Sequence, residues 1–281
     1  MNQTSESHFR DVEAWRARRL ARLTAPDGWL SLTGLHWLDP GRSTLGGADD
    51  NAIVLAGAPA HLGTIELGND GMVVLDLAGG SGARIDGEER SHAELRDDHD
   101  GEPTRVSFGS ANFIVIDRGG RKALRVRDSE AATRTRFAGI DVFPVDPAWR
   151  IVAEWQPFTP ERALETMNVV GQLERYPAPG RAVFERGGRL HELLPVIEAP
   201  GDEELFLIFA DGTSGKETYG AARFLYTEPP RDGHVVIDFN KAYNPPCAFT
   251  PFATCALAPP ENRLDLRVTA GEMKYRSHGS D

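Results

Sequence analysis

Residues 6–23 place Phe9, Val12, Leu20 and Leu23 on one helical face, with Arg10, Arg16, Arg18, Arg19 and Arg22 around it. Asp27-Gly28 supplies a stop signal. The pattern predicts an amphipathic helix packed on the body of the protein, within an N-terminal segment 1–28. Glu6, Asp11 and Glu13 dilute its positive charge, which argues against a membrane-surface helix.

From residue 29 the period shortens to two. The runs Asn51–Leu55, Thr64–Leu67, Met72–Leu77, Ala83–Ile85, Thr104–Phe108, Phe113–Ile116 and Ala123–Arg127 alternate or are β-branched, with Gly, Asp and Asn between them. Short strands at such spacing predict a β-sandwich or barrel over 29–128. A connector, 129–149, carries Pro144 and Pro147. Residues 150–281 then predict a second β unit, with strands near Ile151–Gln156, Glu165–Gln172, Arg181–Glu185, Leu190–Ile197, Glu204–Phe209, Ala221–Tyr226, His234–Asp238 and Leu264–Thr269. Gly187-Gly188 and Asp232-Gly233 are hairpin turn dipeptides. An antiparallel meander of this length tends to curl into a barrel or rolled sheet, which removes exposed edges. The expected fold is therefore mainly β, in two parts behind one helix.

Residues 242–260 carry no charge, yet Pro245, Pro246, Pro251, Pro259 and Pro260 forbid a membrane-spanning helix. An extended loop that lies across the C-terminal sheet, its prolines keeping it out of the ladders, is expected instead. The 281 residues are 40% hydrophobic and 26% charged, a globular balance. Their 31 basic and 42 acidic residues give a net charge of −11, which argues against nucleic-acid or anionic-membrane partners. No apolar stretch in residues 1–25 suggests a signal peptide, and two cysteines are too few for a secreted disulfide scaffold, so a cytoplasmic location is expected. Nothing in the pattern speaks to oligomeric state.

Several strings are specific. They are Gly28–Leu38 (GWLSLTGLHWL), Asp211–Tyr219 (DGTSGKETY), Arg223-Phe224-Leu225 and Asp238–Phe249 (DFNKAYNPPCAF), followed by Ala253-Thr254-Cys255, Pro259–Leu264 (PPENRL) and Ala270-Gly271-Glu272. Together they resemble the DUF1684 family of bacterial and archaeal proteins, which has no established activity to carry over. Residues 29–128 are, more loosely, similar to a forkhead-associated (FHA) sandwich, through Leu45-Gly46-Gly47, Asn51-Ala52-Ile53, His61 and Gly82–Gly87. A phosphothreonine reader needs an arginine and a serine at its loop tips. Gly47 and Ala58-Pro59-Ala60 stand at those places, so the resemblance implies the architecture without phosphothreonine binding.

Candidate chemistry gathers in the C-terminal half. Gly212–Lys216 (GTSGK) lacks the spacing and the following helix of a phosphate-binding loop. It is either a turn braced by Asp211 and Thr213 or a loop at a pocket mouth that also offers Ser214 and Tyr219. Asp238, Asn240, Lys241 and Tyr243 either plug one end of the sheet or line a cavity there. Arg263 is expected to pair with Asp238 or Glu272, and Arg223 either to do likewise or to hold an anion. Cys247 and Cys255 lack two further ligands at zinc spacing and are expected to be buried thiols, so neither metal nor cofactor is expected. Two functions follow. The first is a small-molecule binder or an enzyme of unassigned reaction, with a polar pocket in the C-terminal unit. The second is an interaction module using the sandwich loops.

Overall fold

The computed structural model describes residues 3–99 and 101–276. The chain is mainly β, 42% strand and 14% helix, as its patterning predicts. It divides into two compact units, residues 22–137 and residues up to 21 together with those from 138 onward. The N-terminal helix thus clusters, through residue 21, with the C-terminal unit.

Residues 22–137 form two five-stranded sheets. The first contains β1 (Leu32–Trp37), β6 (Arg84–Ile85), β8 (Val106–Phe108), β9 (Ala111–Arg118) and β10 (Arg121–Asp128), in the order β1-β10-β9-β8-β6. The second contains β2 (Gly41–Gly46), β3 (Ile53–Val54), β4 (Gly63–Leu67), β5 (Val73–Leu77) and β7 (His92–Glu94), in the order β3-β2-β4-β5-β7. Alternate residues of both sheets make one core, with Leu45, Ile65 and Leu75 meeting Ile85, Phe113 and Leu124. The period-two pattern is the direct cause of this sandwich.

α1 (Gln3–Thr24) buries only part of the stripe its sequence suggests. Val12 and Leu23 are buried, but Phe9 and Leu20 are 49% and 42% exposed, while Arg19 is only 7% exposed. Polar anchors hold the helix as well. Arg16 Nη2 donates to Phe143 O at 3.0 Å, and Lys241 Nζ donates to Asp11 Oδ2 at 2.6 Å.

The C-terminal sheet comprises β11 (Arg150–Met167), β12 (Leu173–Arg186), β13 (Arg189–Leu193) and, beyond a separate pair β14 (Leu205–Phe209) and β15 (Arg223–Thr227), β16 (His234–Asp238). Its order is β13-β12-β11-β16, and it curls into a half-barrel rather than closing. Trp149, Phe184, Phe209, Leu225, Ile237 and Phe239 fill the hollow. Pro157 and Pro160 do not split β11, because pairing with β12 shifts register between Pro157 and Arg162, a bulge that tolerates missing donors.

Residues 264–269 form no strand, although they alternate. Backbone pairing is limited to Leu264 N with Ala210 O and Leu266 O with Gly212 N, and side chains take over beyond it: Val268 N donates to Asp211 Oδ1, and Arg223 donates to Val268 O and Ala270 O. The proline loop packs on this unit, with Phe249 and Cys255 buried. It does join ladders at two points, contrary to the expectation from its prolines. Tyr243 bridges Phe224, and Ala256 bridges Asn168, both at residues that keep their N–H.

Candidate ligand cleft

The Gly187-Gly188 turn has φ of +62° and +74°, values at which a Cβ would be strained, so glycines let β12 reverse into β13 within two residues. The turn leaves Arg186 at the sheet rim, its guanidinium carbon 3.8 Å from the centroid of the Trp149 ring. Arg186 Nη1 also donates to Ala148 O at 2.6 Å. Trp149 ends a short 3-10 turn, 147–149, that Pro147 begins and the Asp146 carboxylate caps through Ala148 N at 2.9 Å. Its ring meets Phe239 edge-on at 6.0 Å. The indole is thus fixed from below and the cation is fixed on the indole.

Gly187, Gly212, Asp265, Leu266 and Arg267 complete a cleft of about 680 Å³ around this pair. Gly212 N donates to Leu266 O at 2.8 Å. A Cβ at Gly212 would stand 3.0 Å from Arg267 Cγ and 3.3 Å from Leu266 O, so glycine permits the close approach that forms this wall. Arg267 is engaged by Glu217 at 2.8 Å and Asp265 by Arg189 at 2.8 Å. No carboxylate among the described residues pairs with Arg186.

The polar residues singled out in the sequence separate into several groups. Asp211 and Arg223 form a buried ion pair at 2.8 Å, and the other Asp211 oxygen accepts Thr213 N and Thr213 Oγ1, each at 2.7 Å. Ser214 Oγ accepts Asp211 N at 3.1 Å. These bonds brace the turn that carries Gly212 into the cleft wall. Asp238 accepts from Asn240 and meets His8 Nε2 at 2.8 Å. Asn240 in turn grips the backbone of Asp146, accepting its N–H and donating to its carbonyl, both at 2.9 Å. Asp238 and Asn240 therefore support the turn that presents Trp149.

The remaining four lie elsewhere. Lys241 is taken up by Asp11 on α1, and the Lys241 partnership holds the Asp11 carboxyl below the ordinary carboxylate range against the opposing effect of burial. Tyr243 lies beneath Arg19, 4.6 Å from ring to guanidinium, beside Tyr226. Burial pushes its hydroxyl well above the ordinary tyrosine value. Tyr219 donates to Cys247 O at 3.1 Å. Arg263 is exposed and donates to Ala258 O, pairing with neither expected acid. Those acids are already taken: Asp238 by His8, and Glu272 by Arg19 Nε at 3.3 Å and Asn244 N at 2.7 Å. Burial nonetheless pushes the Glu272 carboxyl up.

Trp149, Arg186 and Arg267 fall outside the strings that stand out in the sequence; the signals near them are Pro147, the Gly187-Gly188 turn and the alternation of 264–269. In the sandwich unit, Asp97, Asp98 and His99 bring three ligand atoms within 4.8 Å, but Lys122 and Arg118 already engage the two carboxylates.

A family model described as a protein of unknown function (DUF1684) matches residues 135–273. No curated protein matches the chain. Among solved structures, an uncharacterized protein of Haloarcula marismortui, determined by solution NMR, is similar at 30% identity, covering 52% of this chain and 81% of its own, with a TM-score of 0.43. No described helix is long and apolar enough to cross a membrane.

Proposed function

This chain belongs to the DUF1684 family, and from its own geometry we propose that it binds a small anionic molecule, a carboxylate or phosphate ester with a flat apolar part, in the cleft over Trp149. The observation that carries this is Arg186, held by the indole and by a carbonyl but paired with no carboxylate among the described residues, in a protein of net charge −11. A cation fixed before binding loses little freedom when an anion arrives, and a guanidinium offers further donors at bidentate spacing. Leu266 and the small part of the Trp149 ring that Arg186 leaves uncovered offer apolar cover. The lining offers one carboxylate, on the exposed Asp265, and no thiol, hydroxyl or imidazole, which supports binding rather than catalysis.

Calorimetric titration of the whole protein with a panel of aromatic carboxylates and phosphate esters tests this. A binder is expected whose affinity falls at least tenfold in Arg186→Gln and weakens with salt. A panel without binders, or one whose binders ignore Arg186→Gln, overturns it.

The free thiols Cys247 and Cys255 support a cytoplasmic, reducing location. The sandwich unit is assigned a separate role as an FHA-like interaction module that does not read phosphothreonine. Its loops support this by closing on each other, with Gly47 N donating to Pro59 O at 2.7 Å and the Asn51 side chain donating through Nδ2 to Ala60 O at 2.8 Å.

A further inference from the structure

Cys247 and Cys255 lie on opposite limbs of the proline loop. The 3-10 turn 246–248, begun at Pro246, aims Cys247 N at Cys255 Sγ, 3.2 Å away, so the Cys255 sulfur sits against the residue that carries the other thiol. The limbs are fixed from outside as well. Cys255 O accepts Val169 N at 2.9 Å, and the Tyr219 hydroxyl anchors Cys247 O. The two sulfurs differ in access: Cys247 is half-buried and Cys255 is 9% exposed.

We propose that Cys247 and Cys255 are a dithiol site that reduces small hydroperoxides and becomes a disulfide across the loop, with Cys247 attacking and Cys255 resolving. The Cys247 thiolate attacks one peroxide oxygen and the O–O bond breaks. Cys247 is oxidised to the sulfenic acid, and the other oxygen leaves as water or alcohol with the proton Cys247 gave up. Cys255 sulfur then attacks the sulfenic sulfur. The S–S bond forms, the S–O bond breaks, and the hydroxyl leaves as water with the Cys255 proton. The sum is two thiols and one hydroperoxide giving a disulfide, water, and a second water or an alcohol.

The surroundings suit this division of roles. The neighbouring Cys255 thiol holds the Cys247 thiol below its ordinary value, outweighing burial. Cys247, with burial, pushes Cys255 up, so it stays protonated until its partner has been oxidised. The site shares no lining residue with the Trp149 cleft.

The test uses the whole reduced protein and hydrogen peroxide. The product is expected to be lighter by two hydrogen atoms, with both thiols lost and both restored by dithiothreitol. Cys255→Ser is expected to hold Cys247 as a sulfenic acid that dimedone traps, while Cys247→Ser leaves Cys255 unmodified. The proposal is overturned if the wild-type protein instead gains oxygen atoms on Cys247 while Cys255 stays a thiol. It is equally overturned if both thiols survive peroxide that oxidises a free cysteine peptide in the same tube.

Discussion

Arg223 and Asp211 form an ion pair in which both side chains are sealed from water, 1% and 0% exposed. Breaking such a pair leaves a charge buried alone, at a cost of about 3–5 kcal/mol. Arg223→Ala and Asp211→Ala are therefore expected to lose about that much stability in urea unfolding. Because the pair braces the cleft wall without lining it, ligand affinity per folded molecule should change far less than in Arg186→Gln.

Asn240 acts on the same cleft from another side, through its two bonds to the Asp146 backbone. Asn240→Ala leaves that N–H and carbonyl without their partner and should cost about 1–3 kcal/mol. It should also loosen the turn that presents Trp149. Quenching of the Trp149 indole by iodide is the readout, measured against a Trp149→Phe background, and it should rise.

Lys122 in the sandwich unit contacts Asp97 and lies 2.9 Å from Asp117. Burial raises both carboxyls, but hydrogen bonds and charge from Lys122, helped by backbone amides, outweigh it, and both sit below the ordinary range. A depressed folded-state value means stability that is complete above the unfolded value of about 3.9 and is lost as pH falls through the folded one. Lys122→Met removes the cation and leaves burial and mutual repulsion to raise both carboxyls. The variant should be less stable at pH 7 and recover part of the loss on acidification toward pH 4, where the wild-type protein holds steady. Thermal melts across that range provide the check.

Phosphothreonine peptides should not bind the sandwich, and installing an arginine should not help. A Cβ on Gly47 would lie 2.4 Å from Ala58 O, closer than atoms can stand. Gly47→Arg should displace the 58–60 loop and lower the melting temperature without creating phosphate-dependent binding. Micromolar binding to either protein in a peptide titration would refute this.

Strand alternation made the sandwich and the half-barrel legible, because each face of a strand answers directly to the core it meets. It failed where side chains cut backbone pairing short: residues 264–269 alternate like a strand, yet after Leu264 and Leu266 pair with backbone, Asp211 and Arg223 take the Val268 amide and carbonyl. It failed again at α1, where Arg19 displaced Leu20 from the buried side by finding Glu272 and Asn244. The polar strings stand out in the sequence, but Asp211, Thr213, Arg223, Asp238 and Asn240 are buried and brace loops. The cleft itself draws on residues 149, 186, 212 and 265–267, four segments far apart in sequence, and no local spacing announces such a meeting.

The chain leaves one unit after residue 21 and returns to it at residue 138. During synthesis the first helix therefore emerges long before Asp238, Lys241, Asn244 and Glu272, the residues that receive His8, Asp11 and Arg19. At 5–20 residues per second the delay is roughly 10–50 s. The intervening 22–137 segment has its own core and can fold on the ribosome during that wait. The opening helix cannot, for its polar anchors have nowhere to go until the last strand is out, so any nascent chain cut short before residue 238 carries His8, Asp11 and Arg19 without their native partners.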